Sequence, residues 1–87
     1  PEAGNIGGGG FMLIRFKDGR THAIDYREMA PAAAHRDIFV DKDGNVIRGE
    51  GGSTIGYRAS GVPGTIAGFE MALAKFGSGK LKWKDLI

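Results

Sequence analysis

The sequence predicts an α+β fold, and two stretches carry that reading. The first is Phe11-Met12-Leu13-Ile14-Arg15-Phe16, a short apolar run closed by Asp18-Gly19 and followed by the strand-like Thr21-His22-Ala23-Ile24-Asp25-Tyr26-Arg27. The second is a stripe of Ile66, Phe69, Leu73 and Phe76, spaced three, four and three residues apart, which marks one face of a helix. Between them lies a glycine-rich stretch with little apolar periodicity.

The first strand is apolar on both faces, as expected of an inner strand covered on two sides. Asp18-Gly19 suits a two-residue type I′ turn. That loop would set Phe16 opposite Thr21, Ile14 opposite Ala23, Met12 opposite Asp25 and Gly10 opposite Arg27. Arg27 would then share a sheet face with Met12, Ile14, Ala23 and Asp25, with a bare glycine across from it. The expected elements are an inner hairpin over 11–27, a short helix over about 31–39 and a glycine-rich loop over about 44–61, with room for a short hairpin in it. A helix over about 63–76 and the start of a further helix over about 82–87 complete the chain. Pro31 and Pro63 fit helix beginnings, where a missing N–H costs nothing. Gly77 fits a left-handed residue after the last turn. Trp83, Leu86 and Ile87 begin a second stripe that the sequence does not continue, and residues 1–10 lead straight into the inner strand. Both features give the expectation of a segment of a larger domain.

Composition narrows the chemistry. Eighty-seven residues make one small domain at most. There is no Cys, which removes disulfides, thiolate metal sites and cysteine nucleophiles. Apolar residues form 41% of the chain, too many for a disordered tail. Glycine supplies 16 residues, gathered at 7–10, 44–52 and 61–68 without a collagen period, so it serves connections between ordered elements. A net charge of +2 makes a weak field. The local run Lys75, Lys80, Lys82 and Lys84 reads as a solvated face. No apolar run reaches the roughly 20 residues of a membrane span, and no signal-peptide pattern is present.

Several motif matches fail on spacing. Gly7 to Gly10 precede a strand, whereas a dinucleotide loop follows one and opens a helix. Gly77-Ser78-Gly79-Lys80 has Ala74 where a phosphate loop needs Gly, and Leu81 where it needs Ser or Thr. Asp41-Lys42-Asp43-Gly44-Asn45 lacks the glycine and glutamate positions of a calcium loop and reads as a reverse turn. His22 and His35 have no partners at metal-ligand spacing. Ser53, Thr54 and Ser60 sit in no nucleophile elbow. Arg27 is the one candidate of substance. Its guanidinium suits bidentate carboxylate binding, and an internal ion pair with Asp25, Glu28 or Asp37 is the competing reading.

Four stretches then resemble one family in order. Pro1-Glu2-Ala3-Gly4-Asn5-Ile6-Gly7-Gly8-Gly9-Gly10-Phe11-Met12 resembles the glycine-rich lead-in of gamma-glutamyltransferases (gamma-glutamyltranspeptidases). Ala23-Ile24-Asp25-Tyr26-Arg27-Glu28-Met29-Ala30-Pro31 resembles their D-[FY]-R-E-x-A-P motif. Residues 59–68 and 83–87 resemble a third and a fourth. The resemblance implies a large-subunit fragment of a four-layer αββα N-terminal-nucleophile hydrolase. In that family a precursor cuts itself into two subunits, and the small subunit's new N-terminal Thr attacks γ-glutamyl amides such as glutathione. It implies that Arg27 grips the substrate α-carboxylate, with Asp25 and Glu28 as candidate orienting neighbours. It also implies that no catalytic residue, cofactor or metal site lies in this chain, since Thr21, Thr54 and Thr65 match no nucleophile motif. The implied partners are the small subunit, the rest of the large subunit and the γ-glutamyl substrate, without nucleic acid. The implied location is periplasmic or secreted. Two alternatives stay open: a related acylase with another acyl group, and a non-catalytic anion-binding module.

Overall fold

The computed structural model describes residues 4–87, so the first three residues of the glycine-rich lead-in lie outside the described residues. The chain divides into two compact units. One joins the described residues up to Met29 with Pro63–Ile87, and the other is Ala30–Val62.

In the first unit, β1 (Phe11–Arg15) and β2 (Thr21–Asp25) form an antiparallel hairpin. The register differs from the expected one by a residue. Ile14 pairs with His22, Met12 with Ile24 and Phe11 with Asp25. The cause is the turn. The Phe16 N–H donates to the Arg20 carbonyl (2.9 Å) and the Gly19 N–H to the Phe16 carbonyl (3.0 Å), so Lys17, Asp18 and Gly19 all lie in the loop. Gly19 takes φ 92°, as the left-handed residue of a three-residue hairpin loop must. Asp18 braces it, accepting from the Arg20 backbone N–H (3.1 Å) and from Arg20 Nε (2.8 Å).

A one-residue slip exchanges the faces of one strand relative to the other. Met12 and Ile14 therefore share a face with His22 and Ile24, not with Ala23 and Asp25. Ile24 is buried on this covered side. The opposite face carries Phe11, Leu13, Ala23 and Asp25 and is open, with Phe11 65% and Leu13 84% exposed. Pairing continues past the strands through Gly10 and Tyr26, whose backbones exchange hydrogen bonds of 2.9 and 3.4 Å. Gly10 thus faces Tyr26, and the expected pairing of Gly10 with Arg27 is corrected.

Helix α1 (Thr65–Phe76) carries the expected stripe. Phe69 meets the Tyr26 ring edge-on at 5.9 Å. Phe76 packs on His22 at 4.6 Å and on Phe16 at 6.2 Å between centroids. Gly77 ends the helix with φ −65° and ψ 154°, so it is extended and not left-handed. A Cβ there would sit 2.4 Å from the Leu73 carbonyl oxygen, which accounts for glycine at this position. Helix α2 (Trp83–Leu86) is one turn, started by the Lys82 N–H donating to Asp85 Oδ2 at 2.8 Å. Ile6, Met12, Phe69, Leu73, Trp83 and Leu86 line an open apolar groove between these elements.

In the second unit the expected helix over 31–39 is absent. Turns stand in its place, one closed by Ala34 N–H to Pro31 O (2.8 Å) and two overlapping ones closed by Ile38 N–H to His35 O (3.2 Å) and Val40 N–H to Asp37 O (3.0 Å). Residues 32–37 are exposed. Helix nucleation is unfavourable, and a short Ala-rich run with no face to bury does not offset it. The turn at 41–45 is organised by Asp41 Oδ1, which accepts from Asn45 and Asp43 N–H at 2.9 Å each and lets Val40 bridge Val46. Those donors, Asn45 first, hold the Asp41 carboxyl below its ordinary pKa. A 3₁₀ turn at Tyr57–Ala59 follows, and Arg58 Nη2 donates to the Ile38 carbonyl at 3.0 Å.

Helix α1 begins against the hairpin with no space to spare. A Cβ on Gly64 would lie 2.1 Å from the Tyr26 carbonyl oxygen and 3.1 Å from that of Arg27. Both neighbours are backbone, so neither can swing aside. Gly64→Ala in the complete protein is expected to cost about 1–3 kcal/mol, in the range of overpacked sites. Thermal denaturation checks this; an unchanged melting temperature contradicts it.

Candidate functional site

The site is built on the three residues after β2. Tyr26 belongs by parity to the covered face and faces α1. Arg27 belongs to the open face with Asp25, Leu13 and Phe11. Its Cζ lies 6.0 Å from the Phe11 ring centroid, and its side chain is 62% exposed. The expectation that Arg27 shares the face of Met12 and Ile14 is therefore corrected; that face belongs to its neighbour Tyr26.

Asp25 and Glu28 both touch Arg27, in different ways. Asp25 Oδ1 accepts from the Arg27 backbone N–H at 3.0 Å and fixes the main chain. Glu28 Oε2 accepts from Arg27 Nε at 3.1 Å and fixes the guanidinium. Asp37 pairs instead with its neighbour Arg36 at 3.9 Å. Among the described residues, neither Nη of Arg27 donates a hydrogen bond. The guanidinium is thus held from its inner nitrogen while its two outer nitrogens present parallel donors, the arrangement that receives a carboxylate end-on.

Glu28 is suited to the holding role. Its own backbone N–H, then the Arg27 side chain, hold its carboxyl below the ordinary glutamate pKa, and the Gly9 N–H adds to this. With the folded value depressed, the pairing is fully present above the ordinary glutamate pKa and is lost only as pH falls through the lowered one. At neutral pH Glu28 is a carboxylate.

The glycine run forms no phosphate loop; it gives backbone access to backbone. A Cβ on Gly9 would lie 2.4 Å from the Tyr26 carbonyl oxygen, 2.7 Å from the Glu28 nitrogen and 2.8 Å from the Arg27 carbonyl carbon. The Gly8 carbonyl accepts from Gly64 N–H (2.9 Å) and Thr65 N–H (3.1 Å), and Thr65 Oγ1 donates to the Asn5 carbonyl (3.1 Å). The lead-in, the Asp25–Glu28 stretch and the start of α1 therefore meet around one short piece of main chain. Reading by charge and spacing missed Tyr26, Gly64 and Gly68. The signal that marks them is the pair of glycines four apart at the start of α1, which lays one smooth patch on a single helix face.

Comparison with known proteins establishes the family of the chain. The family model for gamma-glutamyltranspeptidase matches residues 1–87. The chain is 59% identical over 78 residues to the glutathione hydrolase proenzyme of Escherichia coli, covering 90% of this chain and 13% of that protein. It is 49% identical over 87 residues to the glutathione hydrolase proenzyme of Pseudomonas aeruginosa, covering all of this chain and 15% of that one. Among solved structures, gamma-glutamyltranspeptidase from Pseudomonas nitroreducens complexed with L-DON superposes with a TM-score of 0.84 at 49% identity, covering 99% of this chain and 24% of the other. The chain belongs to the gamma-glutamyltranspeptidase family. It spans about one seventh of the length of these two curated relatives.

Proposed function

We propose that this chain supplies the α-carboxylate anchor of a γ-glutamyl hydrolase and transferase, and that Arg27 is the anchoring residue. The observation that carries the proposal is the half-engaged guanidinium: Nε is fixed by Glu28 while, among the described residues, neither Nη group donates a hydrogen bond, and an exposed ring lies beside it. The family membership and the relatives named as glutathione hydrolase proenzymes support the reaction class.

In this reading the complete protein is a four-layer αββα sandwich matured from one precursor into two subunits, working in the periplasm or outside the cell. The small subunit's N-terminal Thr hydroxyl attacks the γ-carbonyl carbon of a substrate such as glutathione. Its proton passes by way of the Thr amine to the departing nitrogen, the amide C–N bond breaks, and an ester remains. Water releases glutamate from that ester, or an amino-acid amine carries the glutamyl group away. Arg27 takes no part in bond making. It binds the α-carboxylate at the far end of the glutamyl group and so holds the substrate in the site.

A matched pair of substrates tests this. A γ-glutamyl amide and the corresponding 4-aminobutyryl amide differ only by the α-carboxylate. The complete enzyme is expected to favour the first by at least about tenfold in kcat/KM, as loss of a charge-assisted bidentate contact requires. Equal kcat/KM values for the two amides contradict the proposal.

A further inference from the structure

We propose that Gly68, acting through Tyr26, is a positioning residue for the Arg27 guanidinium. The proposal rests on the reading of Arg27 as the carboxylate anchor.

Arg27 is exposed, and burial does not fix its direction. Glu28 holds its Nε and Asp25 its backbone N–H, and the main chain that carries it is anchored on the other side through its neighbour Tyr26. Tyr26 lies in a socket. On one side is Gly10, where a Cβ would come within 3.2 Å of the ring. On the other is Gly68, a buried glycine of α1, where a Cβ would lie 2.4 Å from Tyr26 Cγ, 2.6 Å from its Cβ and 2.7 Å from its Cδ1. Phe69 closes the edge of the ring. The atoms that Gly68 meets are the root of the side chain, not a flexible tip. Any group larger than hydrogen at position 68 must push Tyr26 and α1 apart at the root of the tyrosine side chain. Tyr26 and Arg27 share a peptide bond, so the displacement passes directly to Arg27, whose other restraints are the Asp25 and Glu28 contacts. A bidentate pair depends on the direction of both donors, so a small rotation of the guanidinium weakens it.

The experiment uses the complete matured enzyme, the γ-glutamyl and 4-aminobutyryl amides, and the variants Gly68→Ala, Tyr26→Leu, Tyr26→Phe and Arg27→Lys. Tyr26→Leu empties the socket without crowding it and serves if Gly68→Ala fails to mature. The expected result is a rise of about tenfold or more in KM for the γ-glutamyl amide in Gly68→Ala and Tyr26→Leu, with kcat within about threefold of the parent. The 4-aminobutyryl amide should be turned over as by the parent. Tyr26→Phe, which keeps the ring, should restore parental KM. In an Arg27→Lys background, Tyr26→Leu should add little further loss, because the group that it aims is already gone. If Tyr26→Leu harms both substrates equally while Arg27→Lys harms only the γ-glutamyl amide, the socket is merely structural and the positioning proposal is overturned. Parental KM in Gly68→Ala or Tyr26→Leu overturns it as well. If Arg27→Lys harms both amides equally, the anchor reading itself falls, and the positioning role with it.

Discussion

Expressed by itself, the 87-residue chain is expected to give no cooperative thermal transition and to bind a hydrophobic dye at low temperature. The reason is the distribution of its apolar side chains. Among the described residues, Ile24 is the buried hydrophobic core, at 5% exposure. Phe11, Leu13, Met29 and Tyr57 stand in solvent, and Ile66, Phe69 and Leu86 are about half exposed. Each such side chain would contribute about 1.5–3 kcal/mol on full burial, and here that contribution is largely missing. The open face of β1 and the groove between α1 and α2 are apolar surfaces that none of the described residues covers. A chain this short has little other stabilisation to draw on, with no disulfide to restrict its unfolded state. Differential scanning calorimetry of the isolated chain checks the expectation. A sharp two-state peak whose calorimetric and van't Hoff enthalpies agree would contradict it.

The same exposed side chains show what could be read in advance. The apolar run at 11–16 announced a strand, and the spacing of Ile66, Phe69, Leu73 and Phe76 announced α1, because these patterns survive whatever covers them. The register did not follow from Asp18-Gly19. That pair serves a two-residue loop or the end of a three-residue one, and here the three-residue loop forms, with the Asp18 carboxylate on Arg20. The consequence reached the site: the slip moved Arg27 to the open face and placed Tyr26 opposite Gly10. The helix at 31–39 failed for the opposite reason, since composition favoured it and nothing packed against it. Arg27, Asp25 and Glu28 were legible because charge and motif mark them. The glycines packed around Tyr26 were not, because a missing side chain carries no chemistry until its neighbour is known.

Arg27→Lys in the complete enzyme is expected to lower kcat/KM for a γ-glutamyl amide by about tenfold to a hundredfold. Lysine keeps the positive charge and loses the flat pair of outer donors. It also lacks a nitrogen in the Nε position, so Glu28 would compete for the same ammonium that must serve the substrate. The melting temperature should move little, because the Arg27–Glu28 pair is exposed and such pairs contribute little to stability. A large fall in stability with substrate affinity intact would return Arg27 to the role of a structural ion-pair partner.

The central claim is that Arg27 reads the α-carboxylate, and its most direct measurement is a ratio: kcat/KM for the γ-glutamyl amide over kcat/KM for the 4-aminobutyryl amide, in the parent enzyme and in Arg27→Lys. If Arg27 holds that carboxylate, the ratio falls by about tenfold or more in the variant, and nearly all of the change comes from the γ-glutamyl substrate. If both substrates lose equally and the ratio stays where the parent left it, Arg27 does not read the carboxylate.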